Sequence, residues 1–266
     1  MSASQTTLSS FHSSPLLSFG RTLFAIGFLF FGFQYVDYHE YLGGLPPVPP
    51  WSPGGIFGAY AVGIILLLCG IGLFIPRSAR TAALVIGALF LACILFLHLQ
   101  HAQDVIFSGR ERTRALEPLS LAAAAFVLAS ILDFVPDSAK APVSDSFLRR
   151  AGIIVFALAL PIYGYQHFEY LKFLVTLLPD WMPAHKFLIA LTGAAFIAAG
   201  LAILFHVLAR TAAVCLGVMF MVFVVTLHAP RVAHNLHNAD EWSSLFVALA
   251  MAGASWIIAE ALPAKT

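Results

Sequence analysis

The chain contains ten histidines, and their spacing is the first feature that indicates chemistry. Imidazole can ligate a metal or haem, hydrogen-bond a quinone headgroup or another small organic ligand, or exchange a proton near neutral pH. His98 precedes His101 by three residues, which puts both rings on one face if the helix continues past Leu99. The alternative is that these histidines only cap long helices at a membrane interface.

A second histidine pair lies towards the other end of the chain. The residue three places after His228 is Arg231 rather than a histidine. We expect Pro230 to disturb a helix that continues beyond His228, because proline lacks the backbone N–H. His234 would then be the nearest histidine partner of His228.

Two glutamines join the histidines as candidates for holding a ligand. Gln34 closes the first apolar run, and Gln166 closes a later run with a similar local sequence. Tryptophans at Trp51 and Trp181 stand where aromatic residues of a membrane interface belong. We therefore predict a shallow, aromatic-rimmed site near the outer ends of the helices. Its candidate residues are His98, His228, Gln34, Gln166, His101 and His234.

The order of these residues repeats along the chain. Residues 80–83 and residues 210–213 both read Arg-Thr-Ala-Ala, and a histidine stands eighteen residues after each arginine. Trp51 and Trp181 match at the same offset of 130 positions, and each is followed by a proline two residues later. Chance agreement at so many ordered positions is improbable, so the pattern predicts a tandem duplication.

The composition places the chain in a lipid bilayer. Of its 266 residues 60% are hydrophobic and 10% are charged, and the mean hydropathy is +0.90. A formal net charge of +1 argues against nucleic acid as a partner, since nucleic acid needs a concentrated basic face. Eight apolar runs are long enough to be membrane helices. They cover residues 22–36, 55–75, 81–99, 119–135, 151–166, 187–208, 211–228 and 242–258.

The repeat and the spans together predict an all-α integral membrane protein with eight transmembrane helices in two tandem four-helix bundles. Residues 20–135 form the first module, residues 136–149 a linker and residues 150–261 the second module. Because each module has four spans, the second module starts on the same side of the membrane as the first. The two modules are therefore expected to be parallel and related by a pseudo-two-fold axis along the membrane normal. We interpret residues 100–118 as a loop outside the membrane. The loop at residues 37–54 has no Lys or Arg, which favours cytoplasmic termini.

Several classes of chemistry leave no signature in the sequence. It contains no HExxH, CxxC, P-loop or GxSxG motif. The three cysteines lie in apolar runs, where they behave as small packing residues. We therefore assign no metal ligands and leave the catalytic residues unknown. The predicted spans hold no titratable group in their middles, which argues against a proton pump or an ion-coupled transporter.

Arginines open the first and third predicted helices, and glycines recur along the first and second. The positions are Arg21, Gly27, Gly32, residues 69–72 (Cys-Gly-Ile-Gly) and residues 80–83 (Arg-Thr-Ala-Ala). In these features the chain resembles the DoxX-like family of bacterial membrane proteins, small four-helix modules related to a subunit of thiosulfate:quinone oxidoreductase. The resemblance recurs from Arg150 onward, so it covers nearly the whole chain. A glutamate that the family often carries in helix two is absent from residues 59–63.

The resemblance implies a multi-pass protein of the plasma membrane, near a quinone-linked redox chain whose membrane subunits are candidate partners. We expect an accessory component that binds a quinone or another small lipophilic molecule near the outer helix ends. One alternative is a redox enzyme subunit of quinone-linked electron transfer with its own cofactor. The other is a transporter of small molecules, for which a polar path would have to cross the middle of the membrane.

Overall fold

A computed structural model describes residues 14–42, 44–132 and 143–263. Within these ranges eight helices are long and apolar enough to cross a membrane, and no strand is present. This confirms the predicted class, an all-α multi-pass membrane protein. We number the helices in chain order as α1 (Pro15–Tyr38), α2 (Gly55–Phe74), α3 (Ala79–Phe107), α4 (Gly109–Leu132), α5 (Val143–Glu169), α6 (His185–Leu204), α7 (Ala209–His234) and α8 (Ala239–Ala261).

Helices α3 and α7 share an unusual build, because each widens into a five-residue π-helical segment before its end. In α3 the π segment is Ile94–His98, and in α7 it is Val224–His228. Both segments therefore finish on a histidine. Single π turns inside α-helices are rare and occur frequently at functional sites. The shared position of this feature directs attention to the two histidines.

Both helices continue beyond the ends that the sequence predicted. Helix α3 runs through a short 3₁₀ turn, Leu99–His101, and a further α-helical segment, Ala102–Phe107. In α7 the segment Ala229–His234 follows the π turn directly, with Pro230 in its first turn. The spanning helix therefore continues through Pro230 to His234, and the π turn directly before Pro230 marks where its regular α-helical geometry is disturbed.

Helix α4 begins ten residues earlier than predicted, at Gly109 instead of residue 119. Its first turns carry several charged side chains. Hydropathy alone therefore predicts a loop where the structure has a helix. Pro118 lies inside the helix. Glu117 is consequently the ninth residue of a spanning helix and not part of a loop. The predicted span at residues 119–135 thus left out a titratable residue in the first half of this helix.

The helices of the two halves interlock. Helix α1 packs against α2 and α8, α5 packs against α6 and α4, and α4 contacts α8. Contacts in the first half recur in the second: a Cβ on Gly32 would lie 2.7 Å from the carbonyl oxygen of Gly63, and one on Gly164 would lie 2.5 Å from that of Gly193. The module boundaries remain a prediction. Residues 133–142 lie outside the described ranges, and the predicted linker is helical from Val143.

The proline-rich connection between α1 and α2 folds back against the helices. Leu45 and Val48 are buried, and the hydroxyl of the fully buried Tyr35 forms hydrogen bonds with the backbone of both residues. That hydroxyl donates to the Leu45 carbonyl at 3.1 Å and accepts from the Val48 amide at 3.2 Å. Prolines 46, 47 and 49 are buried alongside. This connection forms part of the wall around the site described next.

Candidate functional site

A cavity of about 410 Å³ lies at the end of the bundle where α3 leads into α4. Its volume falls within the usual range for sites that take small organic molecules, roughly 300 to 1,000 Å³. The lining combines one large aromatic ring, two imidazoles and two carboxylates with a few smaller groups. The lining residues are Trp51, His98, His101, Asp104, Val105, Ser108 and Glu111.

His98 is the most deeply placed of these residues. It ends the π segment of α3 and is 3% exposed. Its Nε2 atom is buried and makes no hydrogen bond of good geometry among the residues that the structure describes, although the Pro47 backbone lies close enough to act on the imidazole. A buried polar atom without a partner costs about 1 to 3 kcal/mol, so a ligand that hydrogen-bonds here would gain free energy.

Trp51 and His101 complete the aromatic side of the cavity. The ring centroid of Trp51 lies 4.2 Å from that of His101 and 6.3 Å from that of His98. The two histidines therefore face the same side of α3, as their spacing predicted. His101 Nδ1 lies 3.5 Å from the carboxylate of Asp104, and both of these side chains are substantially exposed.

A row of polar residues on α4 leads from the cavity towards the middle of the membrane. Glu111 pairs with Arg114, and Glu117 follows one turn deeper, within the electrostatic reach of Arg114. One turn further, the Ser120 hydroxyl lies 3.3 Å from that of Tyr163 on α5. Each residue is an i, i+3 neighbour of the next, but every such step turns about 60° around the helix, so the row winds around α4 from Glu111 to Ser120. At 1.5 Å per residue, Ser120 lies roughly 16 Å from the start of the helix.

The second half carries fewer of these polar groups. The positions of Arg114, Glu117 and Ser120 are taken 130 residues later by Ser244, Val247 and Ala250. Val247 and Ala250 are buried apolar residues of α8. Of this row the second half keeps only a glutamate, Glu241, at the position of Glu111.

His228 and His234 occupy different settings in the second half. His228 ends the π segment of α7, and its Nδ1 atom is buried without a hydrogen-bond partner in the described part of the chain. Beside it, Arg231 Nη2 lies 2.6 Å from Glu241 Oε1 on α8. His234 is an exposed residue at the end of α7. The first half thus brings its histidine pair to one cavity, whereas the second half forms an ion pair instead.

The two candidate glutamines connect the halves of the protein. Gln34 Nε2 donates to the Ala239 carbonyl at 3.1 Å, and Gln34 Oε1 accepts from the Ser243 hydroxyl at 3.1 Å. Gln166 Nε2 donates to the Gly109 carbonyl at 3.0 Å. Each glutamine thus binds the first turn of α8 or α4 in the other half. These contacts serve the fold, and a ligand-binding role for either glutamine remains a prediction.

Sequence reasoning did not select Glu111, Arg114 or Glu117 as members of the site. The predicted loop at residues 100–118 concealed them, because a run of charges is usually solvated. The spacing of three between Glu111 and Arg114 was the available signal, since opposite charges at that spacing pair on a helix. Among the described residues, no group of three or more His, Cys, Asp or Glu side chains is arranged to hold a metal ion.

The fold and the cavity define the class of protein: an all-α membrane protein of eight spanning helices with a polar, aromatic-walled cavity at one end. No protein-family model, no curated protein and no solved structure matches the chain.

Proposed function

We propose that this protein binds the polar headgroup of a small lipophilic molecule, a quinone or a related compound, in the cavity beside His98. The observation that carries the proposal is a cavity of about 410 Å³ lined by His98, a buried histidine whose Nε2 atom makes no hydrogen bond with the described residues. Such an atom is satisfied once a ligand oxygen reaches it. In a DoxX-like membrane protein the binding site would serve a quinone-linked redox chain as an accessory component.

The chemistry of the cavity fits a quinone in two respects. Neutral imidazole carries one donor and one acceptor nitrogen, so His98 Nε2 can serve either a quinone carbonyl or a quinol hydroxyl, according to tautomer. The ring of Trp51 lies beside both imidazoles and offers a flat apolar surface for a planar headgroup. The lipophilic part of the ligand would remain among the apolar helix faces.

The test is equilibrium binding of a short-tailed ubiquinone analogue to the purified full-length chain in detergent. We expect His98→Ala to weaken binding about tenfold, the loss of one buried hydrogen bond. His98→Gln, which keeps a polar group at the end of the side chain, should lose less. His234→Ala is the matched control, because His234 is exposed at the end of α7. Unchanged affinity in His98→Ala, or no binding by the unaltered chain, would refute the proposal.

We also propose that the protein resides in the plasma membrane with both termini in the cytoplasm and with membrane subunits of a redox chain as neighbours. The absence of Lys and Arg from residues 39–54, between α1 and α2, supports this orientation under the positive-inside rule. The cavity would then open towards the outer surface, because the α1–α2 connection contributes Trp51 to its wall.

Transport of a small polar molecule is a second candidate, favoured by one observation. The charged residues of the row extend along α4 as far as Glu117, and the hydroxyl of Ser120 follows one turn later. Beyond Ser120, residues 121–125 of α4 are buried and apolar, so the row stops near the middle. A half-length polar row suits proton or headgroup binding better than passage across the bilayer. Flux into proteoliposomes that is abolished by Glu117→Val would favour transport.

A further inference from the structure

We infer that the second half of the chain holds a second copy of the ligand site, closed by the ion pair between Arg231 and Glu241. Arg231 is then the residue that limits the protein to one open site. The inference rests on the proposed function, since it takes the first-half cavity as the working site. It concerns the end of the bundle where α7 leads into α8.

The two regions occupy equivalent places in the repeat. His98 and His228 each end a five-residue π segment, and they are separated by 130 positions. Trp181 stands at the same offset from Trp51, and Glu241 at the same offset from Glu111. The helix packing next to the two regions also repeats at the offset of 130. Gly87 packs against the ring of Phe126, and Gly217 packs against the ring of Trp256. The histidine, the tryptophan and the glutamate of the first site therefore all have counterparts.

The decisive difference is the cation that pairs with the glutamate. In the first half Glu111 pairs with Arg114 on its own helix, and Arg112 of α4 donates to the Ile106 carbonyl of α3 at 2.7 Å, so the ion pair of Glu111 does not cross the cavity. In the second half a serine replaces this arginine, and Glu241 pairs with Arg231 of α7 at 2.6 Å. This ion pair joins the two walls directly. Arg231 stands at the position of His101, one of the residues that line the first cavity.

The closed region retains features of a binding site that simple packing does not explain. His228 Nδ1 and Glu241 Oε2 are both buried, and neither has a hydrogen-bond partner in the ranges that the structure describes. Leaving two such atoms unpaired costs free energy. Helices joined only for stability would place paired or apolar atoms here. A ligand hydroxyl that enters once Arg231 is withdrawn would find unpaired polar atoms on both α7 and α8.

The experiment measures how many molecules of a short-tailed ubiquinone analogue the purified full-length chain binds in detergent at saturation. The unaltered chain should bind one equivalent. Arg231→His, which restores the residue of the first half, should bind two, and so should Arg231→Ala. The double variant H98A/R231H should retain one equivalent, and adding His228→Ala should remove it. Loss of that last equivalent locates the new site at His228.

Arg210→His is the matched control, because Arg210 pairs with Glu260 at 3.0 Å between the same two helices at their opposite ends. It should leave the stoichiometry at one. One equivalent in both Arg231 variants, with unaltered thermal stability, would overturn the inference while the proposed function stands. Two equivalents in the unaltered chain would also overturn it. Absence of binding by the unaltered chain would instead refute the proposed function.

Discussion

Exchanging Glu117 and Val247 between the two halves tests whether the polar row serves ligand binding instead of folding. The two residues occupy equivalent positions, the ninth of α4 and the ninth of α8. Val247 is 6% exposed, which shows that the fold accommodates a buried valine at this position. We expect Glu117→Val to be tolerated and Val247→Glu to be severely destabilising.

The neighbouring arginine explains the asymmetry. In Glu117→Val the guanidinium of Arg114 keeps Glu111 as its partner, so the free energy of unfolding should change by about 1 kcal/mol or less. In Val247→Glu the residue at the position of Arg114 is Ser244, which offers no charge. A carboxyl buried there without a cation should cost about 3 to 5 kcal/mol.

The assay is reversible unfolding of both variants in mixed micelles, combined with binding of the ubiquinone analogue. Glu117→Val should bind the analogue more weakly than the unaltered chain while it keeps nearly full stability. Val247→Glu should lower the unfolding midpoint sharply. If Glu117→Val destabilises the protein as much as Val247→Glu does, the row is part of the fold, and our reasoning is refuted.

Two further predictions concern contacts that both halves share. Gly63→Ala should lower the free energy of unfolding by about 1 to 3 kcal/mol, because the new Cβ would lie 2.9 Å from the carbonyl oxygen of Gly32; thermal unfolding in detergent measures this, and an unchanged midpoint would contradict it. Gln34→Ala should cost about 1 to 3 kcal/mol by removing the two hydrogen bonds of the buried amide, to the Ala239 carbonyl and from the Ser243 hydroxyl, and leave the affinity for the ubiquinone analogue unchanged. A loss of affinity without a loss of stability would instead assign Gln34 to the ligand site.

The sequence predicted the number and type of the helices because a membrane span must satisfy its backbone polar groups internally. Hydropathy did not predict where α3 ends and α4 begins. Around that junction the charged residues of the helices are paired, for example Arg112 with Glu169 at 2.7 Å. Pairing lets charged residues extend a spanning helix beyond its apolar part. A window that averages hydropathy registers such residues as loop.

The candidate site was only partly predictable for a related reason. The helical spacing of His98 and His101 was sufficient to place both rings on one face. Gln34 donates to the carbonyl of Ala239, which is 205 positions away in the sequence. The sequence alone does not show this partner, so Gln34 was predicted only as a residue that binds a ligand. A contact between residues so far apart in the sequence can be identified only from the folded structure, in which α1 packs against α8. Single-sequence patterns therefore identify local pairs and miss contacts that join the halves.

The duplication makes each half a control for the other. A contact that both halves keep, such as Gly32 with Gly63 and Gly164 with Gly193, is required by the shared packing of the helices. A residue that differs between equivalent positions of the same packing cannot be required by it. Glu117 is of this second kind. Because a buried carboxyl is costly and Val247 shows that an apolar residue fits, binding chemistry gives the better account of its presence.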